Sequence, residues 1–432
     1  MKLYQNLEAT EDNIRDTYES DLLSRKDSVI QFAEFLKSPY CPTSIAVNGE
    51  WGSGKTFFVK QTAYQLSTLE DASDKCLTVY YDAWENDNEC DPIISIVDCI
   101  ARVAGEEDGK HIGELVFGIA EATLDNPLFR GIKAFRDWQK ENEAESDFGY
   151  NKTAPTNTQI KNKLKALFDE IINEHGERLI LFVDELDRCK PDFAVRVLER
   201  LKHYFTIDDR VKIVFSVNIN QLEHTIRHFY GDDFDSHRYL DRFFDMKINI
   251  PKADLEKFCS YVDQNMHSTE YGSFFYYLVD MIEYFKMSLR EINKYLSIMN
   301  DMFETNHLGA PTIISERTKQ CILYILAPII CASEITSPNV YQRLINGSGS
   351  DIIRDIGNKI CFIPEFSDLW KEGESSIKKN RDEIFVSATD KCVELYEAVF
   401  MFPAGEQTIN VGKYTIKIDT KRIIFKALAS IR

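Results

Sequence analysis

Short, continuous apolar runs alternate with amphipathic stretches through the first part of the chain. Such a run is typical of a parallel strand that is buried on both faces, and apolar residues at the helical period indicate a helix. The alternation therefore favours an α/β fold, in which a parallel sheet carries helices on both faces. The predicted strands are 44–47, 77–81, 179–183, 211–217 and 245–250, and the predicted helices between them are 24–37, a helix after residue 55, 159–173, a helix around 197–205, and 221–230.

The pattern changes in two other parts of the chain. Residues 85–157 hold one apolar run and long polar stretches, so we interpret them as a helical insertion. After Pro251 the pattern is helical to about residue 305, and the remaining residues combine apolar helices with a small β-hairpin, predicted at Thr408–Val411 and 414–418. The sequence thus predicts a core at 1–251, a helical lid at 252–305 and a mostly helical C-terminal domain at 306–432.

The segment Gly49-Glu50-Trp51-Gly52-Ser53-Gly54-Lys55-Thr56 follows the first predicted strand and precedes a helix. Its G-x-x-x-x-G-K-T spacing is that of a phosphate-binding loop. Glycines let backbone N–H groups converge on phosphate oxygens, and the next helix directs its free N–H groups at the same anion. We expect Lys55 to reach the β- and γ-phosphates and the Thr56 hydroxyl to bind Mg²⁺. The predicted nucleotide-binding segment continues through Phe57.

Two acidic residues, Asp184 and Glu185, directly follow the predicted strand 179–183. Ligands of open α/β sheets bind beyond the carboxyl ends of the strands. We therefore expect Asp184 to hold the magnesium ion through water and Glu185 to orient or deprotonate the attacking water. Asn218, after strand 211–217, is a candidate for holding this water or sensing the γ-phosphate. Alternatively, Asn218 caps the helix that begins near Gln221.

Arginine side chains neutralise the negative charge that spreads over a phosphoryl group during its transfer. The sequence offers three candidates. Arg290 opens a helix of the predicted lid and would act within its own chain. Arg238 and Arg242 precede the last strand of the sheet and would act on a neighbouring subunit. Alternatively, these two arginines only form salt bridges at the protein surface.

Composition narrows the expected partners and location. The formal net charge of −19 on 432 residues argues against a generally basic surface for nucleic acid. The ten cysteines are scattered without a C-x-x-C pair, as expected for reduced thiols. The first residues hold no apolar signal-peptide core, and the longest apolar stretch, 321–332, is too short to span a bilayer. We therefore expect a cytoplasmic protein without a transmembrane segment.

The acidic strand end continues as Leu186-Asp187-Arg188-Cys189, and the whole run resembles the Walker B region of the KAP family of P-loop NTPases. Glu185 stands where that family commonly has a second Asp, and Leu289 stands where it commonly has Pro. The resemblance covers about residues 20–305. Other segments similar to family motifs are the phosphate loop with Trp51 inside it, Asp82-Ala83-Trp84, Tyr239-Leu240-Asp241 and the run from Leu289 to Leu296.

The resemblance implies an additional-strand, glutamate-type ATPase core, distantly like the AAA+ and STAND groups. It implies ATP and Mg²⁺ as cofactors, phosphate and Mg²⁺ binding by Gly49, Gly54, Lys55 and Thr56, and Asp184 as the Walker B acid. Asp187 and Arg188 would belong to the family motif. The resemblance also implies a setting in bacterial antiphage defence.

The function expected from the sequence is a Mg²⁺-dependent ATPase that couples ATP binding or hydrolysis to a conformational change or to assembly of a homo-oligomer. One alternative is a nucleotide-switched scaffold, which binds ATP, hydrolyses it slowly and recruits a partner effector protein through residues 306–432. A motor or sensor stimulated by nucleic acid is a further alternative, which the net charge disfavours.

Overall fold

The computed structural model describes residues 8–68, 76–89, 91–104, 157–258, 272–304, 325–359, 381–401, 408–411 and 414–417. Most of the insertion predicted at 85–157 lies outside these described residues. The chain divides into two compact units. The sheet unit comprises Ala9–Asp21 and Arg25–Lys252, and the helical unit comprises Ala253–Arg432 with two short N-terminal segments, Met1–Glu8 and Leu22–Ser24. The three-part division expected from the sequence stays a prediction.

Five parallel strands form the centre of the sheet unit, which confirms the predicted α/β fold. They are β1 (Ser44–Asn48), β2 (Cys76–Asp82), β3 (Arg178–Asp184), β4 (Val211–Val217) and β5 (Met246–Asn249). Their order across the sheet is β2-β3-β4-β1-β5. The strand β4 therefore lies between β1, which leads into the phosphate loop, and β3, which ends in the acidic pair.

Helices cover both faces of this sheet. In chain order they are α1 (Glu11–Ser20), α2 (Lys26–Lys37), α3 (Lys55–Ser67), α4 (Pro92–Val103), α5 (Asn157–His175), α6 (Pro191–Tyr204), α7 (Ile219–Tyr230) and α8 (Ser236–Leu240).

Successive side chains of β3 point to opposite faces, which explains its continuous apolar run. Ile180 and Phe182 are buried in a core that includes residues of α2 and α3. Leu179, Leu181 and Val183 are buried in a second core, which includes residues of α4, α5, α6 and α7. The two cores fix the position of β3, and so place the acidic pair at the carboxyl edge of the sheet.

The described helices of the helical unit share one hydrophobic core, in which Tyr277, Tyr295 and Tyr396 are fully buried. The predicted hairpin is confirmed by the antiparallel pairing of β6 and β7. None of the helices in the described ranges is long and apolar enough to cross a membrane. The elements are α9 (Gly272–Tyr284), α10 (Leu289–Glu304), α11 (Ala327–Thr336), α12 (Pro338–Ile345), α13 (Ser350–Lys359), α14 (Arg381–Phe400), β6 (Thr408–Val411) and β7 (Tyr414–Lys417).

Candidate phosphate-binding site

The shape of the loop between β1 and α3 depends on glycine at both of its ends. Gly54 caps α3 with a φ of 89°, a conformation that side chains with a Cβ rarely adopt. A Cβ added to Gly49 would lie 2.6 Å from Cγ2 of Ile250. The intrahelical bonds of α3 begin where the Phe58 N–H donates to the Gly54 carbonyl. The N–H groups of Lys55, Thr56 and Phe57, at the start of α3, are therefore available to an anion in the loop.

Lys55 is held over this loop by the loop's own carbonyl groups. Its ammonium donates to the Gly49 carbonyl over 2.8 Å and to the Glu50 carbonyl over 3.3 Å. Burial lowers the pKa of Lys55, and the nearby carboxylates of Asp187, Asp184 and Glu185 oppose that shift. The geometry places a cation where the loop would hold phosphate oxygens.

The hydroxyl of Thr56, at the start of α3, donates to Oδ2 of Asp184, at the end of β3, over 2.7 Å. The same carboxylate oxygen accepts from the Tyr80 hydroxyl over 2.9 Å, and Oδ1 accepts from the Glu185 backbone N–H over 2.9 Å. Asp184 is only 1% exposed. A hydroxyl and a carboxylate side by side are hard oxygen ligands of the kind that Mg²⁺ takes beside nucleotide phosphates. The residues present therefore fit a magnesium ion.

Glu185 is strained and electrostatically perturbed. Its φ of 59° lies in the left-handed region, which costs a non-glycine residue about 1–3 kcal/mol. Burial and the neighbouring carboxylate of Asp184 raise the pKa of Glu185 to about 7, while Arg188 acts in the opposite direction. Oε2 of Glu185 lies 2.7 Å from Nε of Arg188. Strain and a perturbed pKa at the edge of a phosphate loop are typical of a functional carboxylate.

Asn218 caps α7 and also contacts the phosphate loop, while its proposed role toward water or the γ-phosphate stays a prediction. Its side-chain oxygen accepts from the Gln221 backbone N–H over 3.3 Å, so it caps α7. Its side-chain nitrogen donates to Oε2 of Glu50 over 2.8 Å, so it also contacts the phosphate loop. The structure thus joins the end of β4 to the loop through one amide group.

Three sets of contacts at this site are not evident from the sequence motifs alone. The indole N–H of Trp51 donates to Oδ2 of Asp187 over 2.6 Å. The guanidinium of Arg188 lies 5.9 Å from the Trp51 ring and 5.8 Å from the Trp84 ring. The third contact is that of Tyr80 with Asp184. In the sequence, Tyr80 is recognisable only as a residue with a hydroxyl near the end of a predicted strand. Its contact with Asp184 forms because β2 and β3 are neighbours in the sheet.

The three candidate arginines lie in exposed positions. Arg238 is on α8, where its side chain is 85% exposed and lies 3.6 Å from Asp235. Arg242 is exposed in the turn before β5. No hydrogen bond or ion pair among the described residues of the sheet unit joins either of them to Asp184 or Glu185. Arg290 is exposed near the start of α10 in the helical unit. All three assignments stay predictions.

Comparison with known proteins adds a family match to this geometry. A family model described as the KAP family P-loop domain matches residues 26–303, which is more than half of the chain. An uncharacterized protein of Methanocaldococcus jannaschii is 31% identical over 104 residues, which cover 22% of this chain and 50% of that protein. The chain thus spans about half the length of the curated relative that it matches.

We expect Tyr80→Phe to destabilise the protein more than Tyr81→Phe, the matched change on the same strand. Burial and the Asp184 carboxylate raise the pKa of Tyr80, so its phenol keeps the proton that it donates. A hydrogen bond to a carboxylate contributes about 1.5–3 kcal/mol to the free energy of unfolding. The hydrogen bond between the neutral side chains of Tyr81 and Ser95 contributes about 0.5–1.5 kcal/mol. Urea unfolding followed by circular dichroism measures both losses. A loss for Tyr80→Phe no larger than that for Tyr81→Phe would contradict the assignment.

Proposed function

The chain belongs to the KAP family of P-loop NTPases, and we propose that it is a Mg²⁺-dependent ATPase that couples ATP binding and hydrolysis to a conformational change or to assembly. One observation carries this proposal, the 2.7 Å contact between Thr56 Oγ1 and Asp184 Oδ2. It brings a hydroxyl from the start of the phosphate-loop helix and a carboxylate from the end of β3 to one point. That point is where a P-loop NTPase needs its two protein contacts to the metal.

In the proposed complex the loop and Lys55 bind the phosphates. The N–H groups at the start of α3 donate to phosphate oxygens, and the Lys55 ammonium exchanges its carbonyl partners for the β- and γ-phosphates. Thr56 and Asp184 would hold Mg²⁺, the latter through water. The metal, when bound, neutralises charge on the phosphate oxygens. Tyr80 keeps the Asp184 carboxylate in place because its hydroxyl donates to Oδ2.

In the proposed reaction Glu185 is the general base. The oxygen of a water molecule forms a bond to the γ-phosphorus, and the bond from that phosphorus to the β–γ bridging oxygen breaks. The bridging oxygen leaves with the electron pair as part of ADP, and Glu185 takes the proton of the attacking water. In this proposal the Asn218 amide, which contacts the loop through Glu50, would sense the γ-phosphate.

The test is to compare Lys55→Ala and Glu185→Gln with wild-type protein in ATP binding and in phosphate release. Lys55→Ala should weaken ATP binding by about 10- to 100-fold, because it removes a charged donor to phosphate. Glu185→Gln should bind ATP like wild type and hydrolyse it about 10²- to 10⁴-fold more slowly, since the amide accepts no proton.

Two residues that do not contact Asp184 or Glu185 within the described residues of the sheet unit serve as controls in this comparison. Lys202 pairs with Asp245 over 3.3 Å, and Glu174 has a side chain that is 59% exposed. Lys202→Ala and Glu174→Gln should leave binding and turnover unchanged. Glu185→Gln protein that hydrolyses ATP at the wild-type rate would exclude Glu185 as the base.

A nucleotide-switched scaffold that hydrolyses ATP slowly and recruits a partner effector is the second candidate. The observation that favours it is the exposure of Arg238 and Arg242, which contact neither Asp184 nor Glu185 within the described residues of the sheet unit. In the ATPase candidate one of them completes the site of a neighbouring subunit and formation of a homo-oligomer starts hydrolysis, whereas the scaffold stays slow until its partner effector binds. The two candidates therefore differ in whether assembly alone starts hydrolysis.

Mixing inactive variants tests action between subunits. We expect the double variant Arg238→Ala/Arg242→Ala and the single variant Glu185→Gln each to hydrolyse ATP poorly alone. Their mixture should regain activity, because the double variant keeps an intact base and the other supplies intact arginines. Light scattering should show a mass increase with ATP. Tight ATP binding with neither turnover nor a mass increase would instead favour the scaffold and its partner effector.

The biological setting that we propose is antiphage defence, and its support is the family resemblance. We expect expression of the wild-type chain in a phage-sensitive bacterium to lower the plaque count of at least one phage. Lys55→Ala, expressed at the same level, should not lower it, because defence would depend on ATP binding. Equal plaque counts with wild type and with an empty vector across a broad phage panel would contradict this setting.

A further inference from the structure

Arg188 lies at the centre of the contacts around Glu185. It ends the short helical turn Leu186–Arg188 that follows the acidic pair. Its backbone N–H donates to the Glu185 carbonyl over 3.1 Å, and its Nε lies 2.7 Å from Oε2 of Glu185. The two side chains are only 26% and 21% exposed. Because the pair is shielded from water, its geometry is better defined than that of a surface ion pair.

The closest approach of the ion pair is between Nε of Arg188 and Oε2 of Glu185. None of the described residues of the sheet unit donates a hydrogen bond to Oε1. A base that abstracts a proton from water needs one oxygen directed at that water. A contact at Oε2 therefore orients the carboxylate, and Oε1 would be the oxygen that accepts the proton.

The guanidinium of Arg188 in turn lies within about 6 Å of the centres of two indole rings, a distance at which cation–π attraction acts. Its central carbon lies 5.9 Å from the centre of the Trp51 ring and 5.8 Å from that of Trp84. Trp51 belongs to the phosphate loop, and its N–H is bound to Asp187, which directly precedes Arg188. The position of the loop is thereby connected to the position of the guanidinium.

We propose that Arg188 is a positioning residue for hydrolysis, which holds Oε2 of Glu185 while Trp51 and Trp84 hold the guanidinium. This inference rests on the proposed ATPase function. It adds that the phosphate loop, through Trp51 and Asp187, sets the orientation of the base. Arg188 acts through Glu185 and contributes to turnover rather than to binding.

The test compares Arg188→Gln and Arg188→Lys with wild type in ATP dissociation constant, kcat, KM and melting temperature. We expect Arg188→Gln to lower kcat by about 10- to 100-fold, because a misplaced catalytic group costs that much, and to leave the dissociation constant for ATP unchanged. Arg188→Lys should recover part of kcat, since it keeps the positive charge but not the planar guanidinium.

Arg196→Gln is the matched control. Arg196 also pairs with a carboxylate at helical spacing, Asp192 at 2.9 Å, and its guanidinium lies 5.8 Å from the Phe193 ring. It lies on α6 and contacts neither Asp184 nor Glu185 among the described residues. Its replacement should leave kcat at the wild-type value, so a fall specific to Arg188 is not a general effect of removing such a pair.

A double-mutant cycle with Trp84→Ala separates positioning from a general structural effect. Trp84 is 52% exposed, so its removal should not unfold the chain. If Trp84 acts through Arg188, Trp84→Ala lowers kcat in wild type but adds nothing in Arg188→Gln. Independent, additive losses would overturn the proposed connection.

The outcomes also separate this inference from the proposed function. If wild type hydrolyses ATP and Glu185→Gln does not, but Arg188→Gln keeps the wild-type kcat, Arg188 is not a positioning residue and the ATPase assignment stands. If wild type itself fails to hydrolyse ATP although it binds it, the proposed function fails first, and with it the role of Arg188 in hydrolysis.

Discussion

The hydroxyl of Thr56 and the carboxylate of Asp184 meet at 2.7 Å although the strands that lead to them are not neighbours. β4 lies between β1 and β3, so the start of α3 has to reach across the end of β4 to meet β3. This is possible because parallel register brings the strand ends to one level, where Asp184 pairs with Ser216 of β4. The other contacts of the site depend on this arrangement. Tyr80 reaches Asp184 from β2, and Asn218 contacts the loop from the end of β4.

A concentration of negative charge follows from the same arrangement. Asp82 and Asp184 lie side by side in the register of β2 and β3, and Glu185 directly follows Asp184. Burial and neighbouring carboxylates raise the pKa of both Asp82 and Glu185. Lys55 and Arg188 offset part of this repulsion. A divalent cation at Thr56 and Asp184 would offset more of it, which gives a physical reason for the site to take Mg²⁺ together with an anionic nucleotide.

Much of the fold and part of the site could be predicted from the sequence, because both are encoded locally. The apolar run of β3 and the glycine spacing of the loop each lie within a few residues. The contact of Trp51 with Asp187 joins residues that are 136 positions apart, and that of Tyr80 with Asp184 depends on strand order. Patterns within a few residues of the sequence predict neither of these two contacts. The motif includes Arg188, but its contact with Glu185 is not evident from the spacing, because an Arg three residues after a Glu is ordinary on any surface. The roles of Arg238, Arg242 and Arg290 depend on contacts beyond the described site.

The most direct test of this account is calorimetric titration of ATP into wild type and Thr56→Val, each with Mg²⁺ and with EDTA. We expect wild type to bind ATP about 10-fold or more tightly with Mg²⁺ than with EDTA, because one contact to a charged group changes an affinity by that factor. Thr56→Val should lose most of that difference and keep its metal-free affinity, because the loop and Lys55 remain. An affinity that is the same with and without Mg²⁺ in wild type, or a Mg²⁺ effect that Thr56→Val retains in full, would contradict the assignment of Thr56 and Asp184 as the metal site.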